Sequence, residues 1–144
     1  MNNKIEIVLV EDNDDDAVLA IRELTKMNLA NKFIRLRDGE EALNYFFEKN
    51  IENPKLTDIP KLVLLDLNMP KVGGIEVLKK LKSSEKTQSI PVVIFTSSKE
   101  DRDIIEAYKL GVSSYIVKPV DFDKFTKVIE DVGYYWLLVN QNPI

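Results

Sequence analysis

The 144-residue chain has no cysteine and no histidine. Without thiols it can build neither a disulfide framework nor a thiolate metal site, which fits a reducing compartment. Without imidazole, no histidine serves as metal ligand, general base or phosphate carrier, so acid and base work falls to carboxylates, lysine or water. No stretch approaches the roughly 18 apolar residues of a membrane span. The apolar-rich run after Met1-Asn2-Asn3-Lys4 is too short for a signal sequence. A cytoplasmic protein with no membrane partner is the expectation. No block of basic residues occurs and the formal net charge is −4, so no nucleic-acid partner is expected.

What is present is ordinary globular composition, 44% hydrophobic and 31% charged, at a length that fits one core and one domain. Apolar runs of strand length alternate with helical recurrences. Ile5 to Val10 reads as a first strand, and Asn13 to Asp16 supplies N-cap chemistry for a helix carrying Ala17, Leu19, Ala20, Ile21 and Leu24. Phe33, Ile34 and Leu36 make a second strand. Asp38 and Glu41 have capping-box spacing before a helix that buries Ala42, Leu43 and Phe46. Residues Glu48 to Pro60 read as a loop, because each proline pushes its predecessor out of the helical region.

Leu62 to Leu65 is apolar throughout, as in a central strand covered on both faces. Met69-Pro70 and Gly73-Gly74 force a turn into a helix carrying Ile75, Val77, Leu78 and Leu81. Val92 to Phe95 is a fourth strand. Ser98 and Asp101 predict a capping box for a helix with Ile104, Ile105, Ala107, Tyr108 and Leu110, closed by a left-handed Gly111. Ser114 to Val117 is a fifth strand. A last helix from about Phe122 carries Phe125, Ile129, Val132, Trp136 and Val139. The expected fold is α/β, a flavodoxin-like doubly wound sheet of five parallel strands with five helices on its two faces. Its strand order, 2-1-3-4-5, is taken by analogy.

Several runs end in the polar residues one small site needs: Glu11-Asp12, Asp66, Thr96 and Lys118. At the carboxyl edge of a parallel sheet they converge where open α/β folds place ligands. Three crowded acids repel one another and call for a counter-ion, and Mg²⁺ suits a site of oxygen ligands shared with phosphate. Asp66 closes a buried run, where a desolvated carboxylate needs a partner or a function, and Lys118 is its available permanent partner.

With these residues in order, the chain resembles the receiver domains of bacterial two-component response regulators over roughly Lys4 to Val132. The match comprises Glu11 and Asp12, Leu65-Asp66-Leu67-Asn68-Met69-Pro70 with Gly74, then Thr96, Tyr115 and Lys118-Pro119. The resemblance implies that Asp66 accepts a phosphoryl group from the phosphohistidine of a sensor histidine kinase. It implies Mg²⁺ on Asp12, Asp66 and the backbone carbonyl of Asn68, with Glu11 acting mainly through water. Lys118 and Thr96 would contact phosphate oxygens, Thr96 and Tyr115 would form the switch, and the Lys118-Pro119 bond would be cis. Glutamate at 11 replaces the commoner aspartate of the family.

The chain ends about ten residues past the resembling region, so the whole of 1–144 is expected to be one receiver domain whose surface is its output. Residues 133–144 would extend the last helix as a tail bearing Tyr134, Tyr135 and Trp136. Those aromatics either cap the bottom of the domain or form an interface. A homodimer through α4-β5-α5 is the favoured reading. The long loop and aromatic tail resemble the single-domain regulators that serve bacterial phytochromes. The rival is a haloacid-dehalogenase-type phosphatase using Asp12 and Asp14, which leaves Asp66 without a role and finds no room for a cap domain. An EF-hand fails at Ala17, where glycine is needed.

Overall fold

The computed structural model describes residues 7–26, 33–47, 60–118, 123–128 and 130–131. Five strands, β1 (Ile7–Val10), β2 (Phe33–Leu36), β3 (Leu62–Leu65), β4 (Val92–Thr96) and β5 (Ser114–Val117), form one sheet in the order β2-β1-β3-β4-β5. Every pairing is parallel. Helices α1 (Asp14–Lys26), α2 (Gly39–Phe46), α3 (Gly74–Ser83) and α4 (Asp101–Lys109) connect them, and residues 123–128 form α5. This is the expected flavodoxin-like order.

Alternation along each strand divides the core in two. Val8, Val10, Val63, Leu65, Val92 and Ile94 face α2, α3 and α4 through Ala42, Phe46, Val77, Leu78, Leu81 and Ala107. Ile7, Leu9, Leu62, Leu64, Val93 and Phe95 face Ala17, Ala20 and Leu24 of α1 and Phe125 of α5. Both faces are dry, which is why the central strands read as unbroken apolar runs. Each fully buried leucine or valine contributes about 1.5–3 kcal/mol of transfer free energy.

Local chemistry sets the helix starts. Asn13 Oδ1 accepts from Asp16 N–H at 2.9 Å, capping α1, and Asp38 Oδ1 accepts from Glu41 N–H at 2.8 Å, capping α2. The Glu41 carboxylate reaches back to Arg37 N–H, at 2.6 Å, one residue before the cap. The capping box expected at α4 does not form. Glu100 holds the N-cap position without a side-chain bond. Ser98 instead donates to Asp103 Oδ2 at 2.6 Å, because that carboxylate is a stronger acceptor partner than an amide. Gly111 ends the turn after α4 at φ +100°, as expected.

The apolar stripe of α4 is also only partly used. Ala107 is buried, whereas Ile105 is 55% and Tyr108 50% exposed. The predicted Phe122, Ile129, Val132, Trp136 and Val139, the aromatics at 134–136, most of the 48–60 loop and Pro119 lie outside the described residues or side chains.

Candidate functional site

Sheet order reverses between β1 and β3, whose following loops diverge and open a crevice at the carboxyl edge. The hydrogen-bond ladders run one residue beyond the strands: Glu11 N–H donates to Leu36 O at 3.0 Å, Asp66 N–H to Val10 O at 3.0 Å and Lys118 N–H to Thr96 O at 2.8 Å. Those bonds fix the backbone of three site residues as firmly as the sheet itself. Carboxylate oxygens of Glu11, Asp12 and Asp66 lie within 4.8 Å of one another. Asp12 is exposed, while Glu11 and Asp66 are buried.

Lys118 closes the cluster from the far side. Its Nζ stands 2.8 Å from Glu11 Oε1, 2.8 Å from Asp16 Oδ2 and 3.5 Å from Asp66 Oδ2, over the Phe95 ring at 4.9 Å from the centroid. The expected partner, Asp66, is therefore the most distant of its three acids. Asp16, read from sequence as capping material, is a lysine ligand from the first turn of α1. Burial alone would lower the Lys118 pKa, but the bonds from Asp16 and Glu11 and the Asp66 charge outweigh it and raise it.

Glu11 has the most perturbed carboxyl group. Burial pushes its pKa up to about 7, and the Asp66 charge adds to the rise against the opposing bonds from Lys118 and the Asn13 N–H. Asp66 Oδ1 accepts from Asn68 N–H at 3.1 Å, which aims the carboxylate back over its own loop. That loop closes tightly: Gly74 N–H donates to Leu67 O at 3.0 Å, and a Cβ on Gly74 would overlap the Asp66 carbonyl.

Thr96 is fully buried, with its hydroxyl oxygen 3.4 Å from Ser98 N and 3.5 Å from Asn68 Nδ2. Tyr115 is half-buried and donates its hydroxyl to Ser98 O at 3.1 Å; burial raises its pKa above the ordinary value. Ser98 thus joins Thr96 to Tyr115. The site residues anticipated from sequence within the described region, Glu11, Asp12, Asp66, Asn68, Thr96, Tyr115 and Lys118, share this edge.

Two residues escaped the sequence reading, Asp16 and Arg35. Arg35 on β2 sends Nε and Nη2 to the Glu11 carbonyl at 3.0 and 2.8 Å and Nη1 to Asp14 Oδ1 at 2.7 Å. A charged residue between Ile34 and Leu36 was the available signal. Arg37 reaches the same Asp14 oxygen at 3.0 Å, and the two guanidinium groups hold the Asp14 carboxyl below the usual carboxylate range. Asp14 is thereby engaged away from Asp66, which removes the phosphatase reading that required it as an acid.

The donor set fits a hard divalent cation: carboxylate oxygens only, crowded enough to repel, with no nitrogen or sulfur ligand among them. Among the described residues no helix is long and apolar enough to cross a membrane.

Residues 7–130 match the family model described as "Response regulator receiver domain". The chain is 39% identical to the probable methanogenesis regulatory protein FilR2 of Methanothrix harundinacea over 137 residues, covering 95% of this chain and 86% of the relative. It resembles the crystal structure of the phosphorylated cyanobacterial phytochrome response regulator RcpA, with TM-score 0.74 and 34% identity over 93% of this chain and 94% of that one. It also resembles the Mn²⁺-bound form of response regulator Rcp1, with TM-score 0.75 and 34% identity over 94% and 96% of the two chains.

Proposed function

This chain belongs to the response regulator receiver family, and from that premise we propose that it takes a phosphoryl group from a sensor histidine kinase onto Asp66. The observation that carries the reading is the Asp66 carboxylate, buried at the end of β3, within 4.8 Å of the Glu11 and Asp12 carboxylates and 3.5 Å from Lys118 Nζ.

An Asp66 oxygen attacks the phosphorus in line with the departing imidazole nitrogen. The O–P bond forms as the P–N bond breaks, its electron pair returns to the imidazole, and that ring takes up a proton. Asp66 then carries an acyl phosphate. Lys118 turns from Glu11 and Asp16 toward a phosphate oxygen, and the Thr96 hydroxyl donates to another. Asp12, Asp66 and the Asn68 carbonyl would hold Mg²⁺, with Glu11 acting through water. When bound, Mg²⁺ supplies positive charge against the transferring oxygens. The protein's own part is positioning and charge; it acts on its own phosphorylation and dephosphorylation and turns over no separate substrate.

The switch follows from Ser98. Drawing the Thr96 hydroxyl onto phosphate loosens its contact with Ser98 N–H, and Ser98 carries the carbonyl that holds Tyr115. The surface of α4, β5 and α5 changes with it, biased by contacts made only in the phosphorylated state. Ile105 and Tyr108, exposed on α4, supply apolar area for a homodimer through that surface.

Residues 1–144 then form one signalling domain, with Tyr134, Tyr135 and Trp136 adding to the interface. A phytochrome-like kinase is the favoured donor, since RcpA is named as a phytochrome response regulator. A cytoplasmic setting follows, with neither nucleic acid nor membrane as partner.

Incubation with Mg²⁺ and acetyl phosphate, followed by mass spectrometry of the intact protein, tests the assignment. One phosphoryl group is gained by the native chain and none by Asp66→Asn; equal gain in both places the acceptor elsewhere.

A further inference from the structure

A short stretch at the junction of β2 and α2 touches both loops that carry the acids. From its start, Arg35 grips the loop after β1, with two N–H groups on the Glu11 carbonyl and one on the Asp14 carboxylate. From its end, α2 presses on the loop after β3. A Cβ on Gly39 would overlap the Val72 carbonyl. Lys71, held at φ 69°, lies 3.6 Å from both Asp38 Oδ2 and Glu40 Oε1.

The grip of Arg35 is the better defined of the two. Its side chain is only 15% exposed, and its planar fork bridges a main-chain oxygen and a carboxylate three residues apart. Between those anchors sits Asp12, the one exposed member of the acid cluster. The loop is pinned at Glu11 O on one side of Asp12 and at Asp14 on the other. The free motion left to Asp12 is then mainly that of its side chain.

We propose that Arg35 is a positioning residue for the divalent-cation site, fixing the loop that aims Asp12 toward Asp66. The inference rests on the reading of Glu11, Asp12 and Asp66 as that site. It runs against simple electrostatics, because a guanidinium beside an acid cluster repels a cation. Removing Arg35 should tighten cation binding if its charge is what matters and weaken binding if its hydrogen bonds matter. Arg37 separates the two effects. It shares Asp14 with Arg35 and carries the same charge, but it is 63% exposed and bonds Asp14 from the outer side of the pair.

The test is the Mn²⁺ dissociation constant of the full chain, read from the free-ion electron paramagnetic resonance signal, with far-ultraviolet circular dichroism to verify folding. Arg35→Met should weaken Mn²⁺ binding on the order of tenfold, as loss of an outer-sphere support does. Arg35→Lys, with a point charge in place of the fork, should fall between that variant and the native chain. Arg37→Met should bind as the native chain does or slightly tighter.

Unchanged or tighter binding by Arg35→Met overturns the proposal, as does equal weakening by Arg37→Met. Should Arg35→Met fail to fold, Arg35→Lys decides: weaker binding supports the positioning role and native affinity overturns it. A native chain that binds no Mn²⁺ overturns the cation site itself, and with it the role of Arg35, whereas native binding with an indifferent Arg35 overturns only the latter.

Discussion

Lys118 Nζ stands 2.8 Å from the carboxylate of Glu11 and 3.5 Å from that of Asp66. The lysine that the proposed chemistry needs at the phosphate is held, before phosphorylation, mainly by a neighbour of the acceptor. Glu11 therefore stores the lysine close to its working position. The arrangement has an electrostatic cost, since Glu11 is fully buried beside another acid.

That cost appears in the pH dependence of stability. The Glu11 carboxyl has an ordinary pKa of 4.5 and a folded value of about 7. Between these values the folded chain keeps a proton that the unfolded chain has lost, so stability must fall as pH rises through that window. The loss is on the order of 2–3 kcal/mol for a shift of this size. Urea midpoints without divalent ions, taken from pH 4.5 to 7.5, should decline for the native chain and decline much less for Glu11→Gln. Parallel curves for the two proteins would reject the assignment.

Asp66→Asn tests the same crowding from the other side. The amide oxygen can keep the bond from Asn68 N–H, while one of three mutually repelling charges disappears. Stability in the absence of divalent ions should rise by about 1 kcal/mol, and the pKa of Glu11 should move down toward its ordinary value. Urea denaturation reads the first and carbon-detected titration of the carboxyl groups reads the second. A less stable variant would mean that the Asp66 charge is already compensated by Lys118.

The loop after β3 is the next vulnerable point. A Cβ on Gly74 would overlap the Asp66 carbonyl, so Gly74→Ala must displace either the helix start or the acceptor's own backbone. Overpacking of this kind costs about 1–3 kcal/mol. The phosphorylation rate with acetyl phosphate should fall as well, because in-line attack depends on placement. A variant with native rate and native urea midpoint would show that the loop relaxes freely.

Much of this arrangement is legible in the sequence, for a physical reason. Strands buried on both faces must be apolar throughout, so Leu62–Leu65 and Val92–Thr96 announce themselves, and the polar residue ending each run falls at the sheet edge. The caps Asn13 and Asp38 and the left-handed Gly111 are equally local. What the sequence hides is lateral. The contact of Arg35 with Glu11 joins residues 24 positions apart across neighbouring strands, and Lys118 chooses among three acids by geometry that spacing does not encode. Ser98 misled for a different reason, since two acceptors within reach of one hydroxyl make the cap ambiguous until the helix start is fixed.

The outer face of α4 gives the last prediction. Ile105 and Tyr108 lie about half exposed on a helix whose buried contact is Ala107. Their substitution should scarcely affect the fold: Ile105→Lys should change stability by less than about 0.5 kcal/mol, as exposed replacements do. Its effect on association should be large, because a lysine ammonium at the middle of an apolar contact is either desolvated or excluded. Light scattering of the phosphorylated protein should give a dimer mass for the native chain and a monomer mass for Ile105→Lys. Trp136→Ala should likewise give a monomer if the terminal aromatics continue that interface, and a mass unchanged from the native dimer would reject their part in it. Should both variants remain dimeric, association must use a surface other than α4, β5 and α5.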